Sequence, residues 1–164
     1  MVVAYIGIGS NLGDREGHCW EAISRLKDAG CEAIAASSLI ETEPWGLSDQ
    51  PRFINGAVAI RTGLSPEELL QVLKSIEAAM FRQHGEKWGP RFIDLDILLY
   101  GDVVLNTAQL VIPHPLLHNR GFALEPLAEI APDTVHPVFE KTIGKLLEVL
   151  KRHEDLYGDK RDPQ

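Results

Sequence analysis

The chain has 164 residues, with 24 acidic and 16 basic side chains and a formal charge of −8. That length suits one domain with a real core, and the acidic balance argues against nonspecific nucleic-acid binding, which needs a basic face. No apolar run approaches the about 18 residues that a membrane helix requires, and the apolar N-terminus lacks the basic flank of a signal peptide. Cys19 and Cys31 show no metal-binding spacing. Reduced thiols in a cytoplasmic protein are the expectation.

Residues 2–8 are apolar and β-branched and predict a strand, followed by turn chemistry over 9–14. Residues 16–29 carry Cys19, Ala22, Ile23 and Leu26 at helical spacing. A second strand is expected over 31–42, a loop over 43–52 and a third strand over 53–61. Ser65, Pro66 and Glu68 then form a helix-start signature with a capping box, and Leu69, Leu70, Leu73, Ile76 and Met80 supply the buried stripe. Residues 83–90 read as a loop and 92–100 as a fourth strand. A turn at 101–102 leads to a short strand at 103–105. Two further helices are expected over 121–130 and 142–153. Residues 1–157 are expected to form one domain, with 158–164 a polar, frayed tail. The order β-α-β-β-α-β with C-terminal additions is the α+β, ferredoxin-like plan, with helices packed on an antiparallel sheet.

Within the fourth strand, Asp94 and Asp96 interrupt an apolar run. Residues two apart on a strand share a face, and two carboxylates held together repel unless something positive lies between them. Magnesium fits such a pair, because it takes one or two carboxylates and leaves its other positions to water and phosphate. The alternative is a pair of solvated carboxylates on an exposed sheet face. Arg82, Arg91 and Arg120 each border a loop, where a guanidinium fork can grip phosphate, although each alone also reads as a surface charge. His114 and His118 have i, i+4 spacing, but Pro115 between them argues against a shared helix and hence a zinc site. Gly7, Gly9 and Gly13 imitate a dinucleotide fingerprint, but the last glycine falls one residue late. They are read as a turn after the first strand.

Trp45, Phe53, Trp88 and Phe122 cluster in predicted loops or at their borders, where aromatic rings can sandwich a flat heterocycle. Asn55 lies two residues beyond Phe53 on the same strand face. Its amide both donates and accepts hydrogen bonds, as the edge of such a ring requires. A strand-end asparagine that satisfies backbone groups is the competing reading.

Four stretches then stand together: Gly-Ser-Asn-Leu-Gly at 9–13, Gln-Pro-x-Phe-x-Asn at 50–55, Trp-Gly-Pro-Arg-x-x-Asp-Leu-Asp-Ile at 88–97, and Pro-His through Asn-Arg-Gly-Phe at 113–122. In these the chain resembles the 6-hydroxymethyl-7,8-dihydropterin pyrophosphokinase family from about residue 4 to about residue 150. The resemblance implies a ferredoxin-like fold and transfer of pyrophosphate from ATP to the pterin hydroxymethyl group, with AMP leaving. It implies two magnesium ions on Asp94 and Asp96, with Arg82 and Arg91 neutralising the triphosphate. It implies a nucleotide site that also includes Glu77, His84, Trp88, Ile97, His114 and Arg120, and a pterin pocket of Thr42, Trp45, Phe53, Asn55, Trp88 and Phe122. A monomer without nucleic-acid or membrane partners is expected. Loops 9–14, 43–52 and 83–91 are candidates for closure over substrate.

The resemblance departs in three places. His84 stands where the family usually has a second arginine, the loop after Arg82 is about one residue shorter, and Pro115 replaces a common aromatic residue. Two other functions fit the bare pattern: a two-metal phosphohydrolase built on Asp94 and Asp96, and a noncatalytic ferredoxin-like RNA-binding module. The acidic charge and the absence of an aromatic RNA-binding pattern in 53–60 weigh against the second.

Overall fold

The computed structural model describes residues 1–42, 52–84 and 93–157, and of His84 the backbone alone. The elements run β1 (Val2–Ser10), α1 (Arg15–Asp28), β2 (Glu32–Ala36), β3 (Ile40–Thr42), β4 (Phe53–Thr62), α2 (Pro66–His84), β5 (Asp94–Tyr100), β6 (Leu105–Asn106), β7 (Val111–Ile112), α3 (Gly121–Ile130) and α4 (Ile143–Tyr157). Local chemistry sets the helix starts. The Asp14 carboxylate accepts the Gly17 N–H at 3.1 Å ahead of α1. Before α2, the Ser65 hydroxyl accepts the Glu68 N–H at 3.1 Å and the Glu68 carboxylate accepts the Ser65 N–H at 3.0 Å, which completes the expected capping box. Those bonds from Ser65 hold the Glu68 carboxyl below its ordinary range.

The main sheet has the order β2-β4-β1-β5, every pair antiparallel, with β3 also paired to β4. This is the ferredoxin-like arrangement, and alternation along its strands separates two cores. Ile6, Ile8, Ile54, Val58, Ile60 and Leu95 face α1 and α2, where Cys19, Leu26, Leu73 and Met80 meet them. On the opposite face, Ala57, Leu98 and Tyr5 pack with Leu124 and Leu127 of α3 and Ile143 and Leu146 of α4. The C-terminal additions therefore cover the second face of the sheet.

Several bounds differ from the sequence reading. β1 runs on through Gly9 to Ser10, because Gly9 pairs with Asn55 on one side and Asp94 on the other. The strand expected over 31–42 breaks into β2 and β3 around a bulge. The strand expected over 103–105 is instead the small ribbon β6–β7, since Val103 still belongs to the turn, its N–H bonded to the Tyr100 carbonyl at 3.0 Å. Helix α4 continues to Tyr157. The 158–164 tail lies outside the described residues, as do Trp45, Trp88 and Arg91.

Candidate active site

A cleft opens on the sheet face that α3 and the 113–120 segment only partly cover. Its floor is β1. Gly7 and Gly9 point their missing side chains into it, leaving a trough between β4 and β5. Register places Asn55, Gly9 and Asp94 in one row across three strands, and Ala57, Gly7 and Asp96 in the next. At two strand spacings, Asn55 and Asp94 stand about 10 Å apart across the trough. The two glycines answer a close approach of neighbouring side chains. A Cβ on Gly9 would lie 2.9 Å from the Asn55 Oδ1, and one on Gly7 would lie 3.3 Å from the Leu98 side chain.

On the β4 side, Phe53 and Asn55 line the cleft, and Phe122 from the start of α3 lines it from above. Asn55 is 5% exposed, and its Nδ2 donates to the Thr42 Oγ1 at 2.7 Å. That bond fixes the amide orientation and leaves a carbonyl oxygen and a second N–H for a partner. Thr42 itself does not line the cleft; it orients Asn55.

On the β5 side, Asp94 and Asp96 share the cleft face, as their spacing predicts. Beside them stand His114 and Arg120, delivered by the segment after β7 and by the 3-10 turn Leu117–Asn119. The His114 N–H donates to the Leu98 carbonyl at 3.0 Å, which ties the segment to β5. The His114 Nδ1 accepts the Leu116 N–H at 3.2 Å, so a neutral ring carries its proton on Nε2. Burial lowers the His114 pKa, with the Asp96 charge opposing and the Arg120 charge reinforcing that shift. With its Nδ1 occupied, the neutral form of His114 offers its Nε2 N–H as a donor near Asp96 and Arg120. The guanidinium carbon of Arg120 lies 5.5 Å from the centre of the Phe122 ring, and the Arg120 Nε is buried with no hydrogen-bond partner among the described residues. A buried unpaired donor is costly, and an anionic group in the cleft would satisfy it.

The donor set suits magnesium brought in with a polyphosphate. Two carboxylates share one face, and among the described residues no cluster of three His, Cys, Asp or Glu side chains forms an all-protein metal cage.

Other expected site residues fall elsewhere. Ile97 turns into the α1–α2 core at 5% exposure, because alternation puts it on the face opposite Asp96. Glu77 stays outside the cleft. Its carboxylate accepts the Leu95 N–H at 2.9 Å and lies 3.7 Å from the Lys74 ammonium, so it satisfies the open edge of β5. Arg82 lies exposed in the last turn of α2 and does not line the cleft. The sequence reading overlooked Gly7, Gly9, Leu98, Leu117 and Ala123 as cleft residues. Gly7 and Gly9 had a signal, since glycines inside a β-branched run mark close approach rather than a turn.

Comparison with known proteins fits this geometry. A family model described as 7,8-dihydro-6-hydroxymethylpterin-pyrophosphokinase matches residues 5–132. The 2-amino-4-hydroxy-6-hydroxymethyldihydropteridine pyrophosphokinase of Aquifex aeolicus is 41% identical over 143 residues, 87% of this chain and 89% of that protein. The enzyme of the same name from Methylorubrum extorquens is 46% identical over 136 residues, 82% of this chain and 86% of the relative. Among solved structures, a Plasmodium falciparum HPPK-DHPS chain superposes on 96% of this chain with a TM-score of 0.76 at 18% identity. This chain spans 45% of that longer protein. The likeness at that identity speaks for the fold.

Proposed function

The chain belongs to the 7,8-dihydro-6-hydroxymethylpterin-pyrophosphokinase family, and from that premise we propose how its cleft performs the family's reaction. The reaction transfers pyrophosphate from ATP to 6-hydroxymethyl-7,8-dihydropterin in folate biosynthesis and releases AMP. The observation that carries the assignment of roles is the row Asn55–Gly9–Asp94. In that row the Asn55 amide and the Asp94 carboxylate stand on opposite banks of one glycine trough, which supports reading the first as the pterin side and the second, with Asp96, as the phosphate side.

The pterin lies on the β4 bank. Phe53 and Phe122 enclose its faces, and the Thr42-oriented amide of Asn55 pairs with its polar edge. Its hydroxymethyl group then points across the trough toward β5. The triphosphate lies on the β5 bank, where the Arg120 Nε and the protonated nitrogen of His114 donate to phosphate oxygens. Asp94 and Asp96 would hold two magnesium ions, which when bound neutralise the charge that develops on the phosphates. Arg82, His84 and Arg91 complete the phosphate grip. Trp45 and Trp88 close the pterin pocket. Glu77 of α2, bonded to the Leu95 N–H at the open edge of β5, and the backbone of Ile97 border the nucleotide. Alignment of the reacting groups and charge stabilisation supply the rate enhancement, as is general for phosphoryl-type transfer.

Residues 1–157 act as one domain and as a monomer in this reading. Among the described residues no helix is long and apolar enough to cross a membrane. Cys19 and Cys31 are buried free thiols, and burial pushes the Cys19 thiol up to about 11. Unpaired thiols support a reducing, cytoplasmic setting.

Incubation with ATP, magnesium and the reduced hydroxymethylpterin tests the reading. AMP that forms only when pterin is present is the expected product. ADP or phosphate formed without pterin would replace the transferase by a two-metal hydrolase.

A further inference from the structure

β2 and β3 are two parts of one strand laid along β4. Ala36 lies opposite Val58, and Ile40 lies opposite Asn55. Between those pairs this strand advances four residues while β4 advances three, so residues 37–39 contain a bulge. The extra residue changes which face the following side chains occupy. Ala36 is level with Val58, which faces α1 and α2, whereas Ile40 and Thr42 are level with Asn55 and Phe53 on the cleft face. Without the bulge, Thr42 would fall on the other side of the sheet, because a one-residue slip inverts every side chain. The 2.7 Å bond from Asn55 to Thr42 therefore depends on the bulge.

Three features hold it. The Ser37 hydroxyl accepts the Ala57 N–H at 2.9 Å and donates to the Ser38 carbonyl at 2.8 Å. Gly56 leaves room for it, since a Cβ there would lie 2.7 Å from the Leu39 side chain. The third feature comes from a distant element. The Glu129 carboxylate near the end of α3 accepts the Ser38 N–H at 3.0 Å and the Ser38 hydroxyl at 2.8 Å. Both carboxylate oxygens are thus engaged on one bulge residue. Glu129 reaches no substrate position in the cleft, and the α3 helix that carries it also carries Phe122 into the cleft at its other end.

We propose that Glu129 is a positioning residue for the pterin: it clamps the bulge at Ser38 and so keeps Thr42 in the register that orients Asn55. This rests on the assignment of Asn55 to the pterin edge. Loss of the clamp lets the three-residue β3 fray and the Asn55 amide rotate, while the β5 bank is unaffected.

The test compares wild type with Glu129→Leu and Glu129→Gln. Gln retains one acceptor for the Ser38 N–H and gains a donor for its hydroxyl, so it can rebuild the clamp. Glu129→Leu should raise the KM for pterin by about fivefold to tenfold, as expected for a weakened buried hydrogen bond. The KM for ATP and the kcat at saturating pterin should stay within about twofold, and the Asn55 side-chain amide NMR resonances should shift. Glu129→Gln should restore the pterin KM and the Asn55 resonances toward wild type, which a purely electrostatic role would not do. Unchanged pterin KM and Asn55 resonances in Glu129→Leu, equal losses for both substrates, or a Gln variant as impaired as Leu would each overturn the proposal. Should Glu129→Leu not fold, Ser38→Ala, which removes one of the two bonds, carries the same expectations at smaller amplitude. If wild type makes no AMP with pterin, the functional reading fails, and the Asn55 resonances still decide whether Glu129 sets that amide.

Discussion

Replacing Gly9 by alanine adds one methyl group at the centre of the trough. The new Cβ would lie 2.9 Å from the Asn55 Oδ1, closer than Cβ atoms are found to oxygen, so the amide must shift by some tenths of an ångström. The amide is held by its bond to Thr42 at 2.7 Å, and the shift loosens or breaks that bond. A weakened hydrogen bond at a buried amide costs about 1–3 kcal/mol. At about 1.4 kcal/mol per decade, pterin affinity should fall by roughly 5- to 150-fold. Alanine also removes backbone freedom from the unfolded chain, which stabilises by about 0.4–1 kcal/mol where the native conformation allows it. The two effects oppose each other in stability, so the melting temperature should move much less than the affinity. Binding of the nonhydrolysable ATP analogue should be nearly unchanged, because Asn55 stands on the opposite bank from His114 and Arg120. Isothermal titration calorimetry with pterin and with the ATP analogue, together with thermal melts, makes the comparison. A Gly9→Ala protein that binds pterin within about twofold of wild type, a difference of only about 0.4 kcal/mol, would refute the placement of Asn55 in the pocket.

Asp94→Ala or Asp96→Ala should lower kcat by roughly a thousandfold or more, from the loss of several kcal/mol of charge stabilisation, and should leave the melting temperature of the ligand-free protein nearly unchanged, since each removes one of two repelling carboxylates; steady-state AMP release checks it, and more than about a tenth of wild-type kcat would remove the metal from these residues. His136 predicts a pH effect on stability. It is 3% exposed, and its Nδ1 accepts the N–H groups of Val138 and Phe139 at 3.2 Å each. Burial first, and then the charge of His118, lowers its pKa, so the folded state favours the neutral ring. The stability it contributes is full above the unfolded value of about 6.5 and is lost as pH falls through the lower folded value. Thermal melts from pH 8 to pH 5 should show that loss, and His136→Asn, which offers an oxygen near the Nδ1 position but does not titrate, should flatten it; identical pH slopes in the two proteins would remove His136 as the cause.

Much of this molecule is legible from local sequence because the relevant physics is local. The capping box at Ser65 and Glu68 is written within four residues, and the buried stripe of α2 follows from 3.6-residue periodicity. Likewise, period-2 alternation puts Asp94 and Asp96 on one face whatever the sheet around them. The four motifs that carry the family resemblance are also contiguous stretches. Tertiary structure decided which of these residues meet. Asp96, His114 and Arg120 converge only because the segment after β7 folds back and its His114 N–H bonds the Leu98 carbonyl. Gly7 and Gly9 form the cleft floor only because β4 and β5 flank β1 on both sides, a fact that no window of sequence contains. Glu77 and Ile97 were assigned by likeness to the nucleotide site. The edge position of β5 gives one to the backbone of Leu95, and strand alternation gives the other to the core. Periodicity fixes a side chain's face within its own element. Register and bulges fix its neighbours, and these depend on contacts such as Glu129 with Ser38, 91 residues apart along the chain.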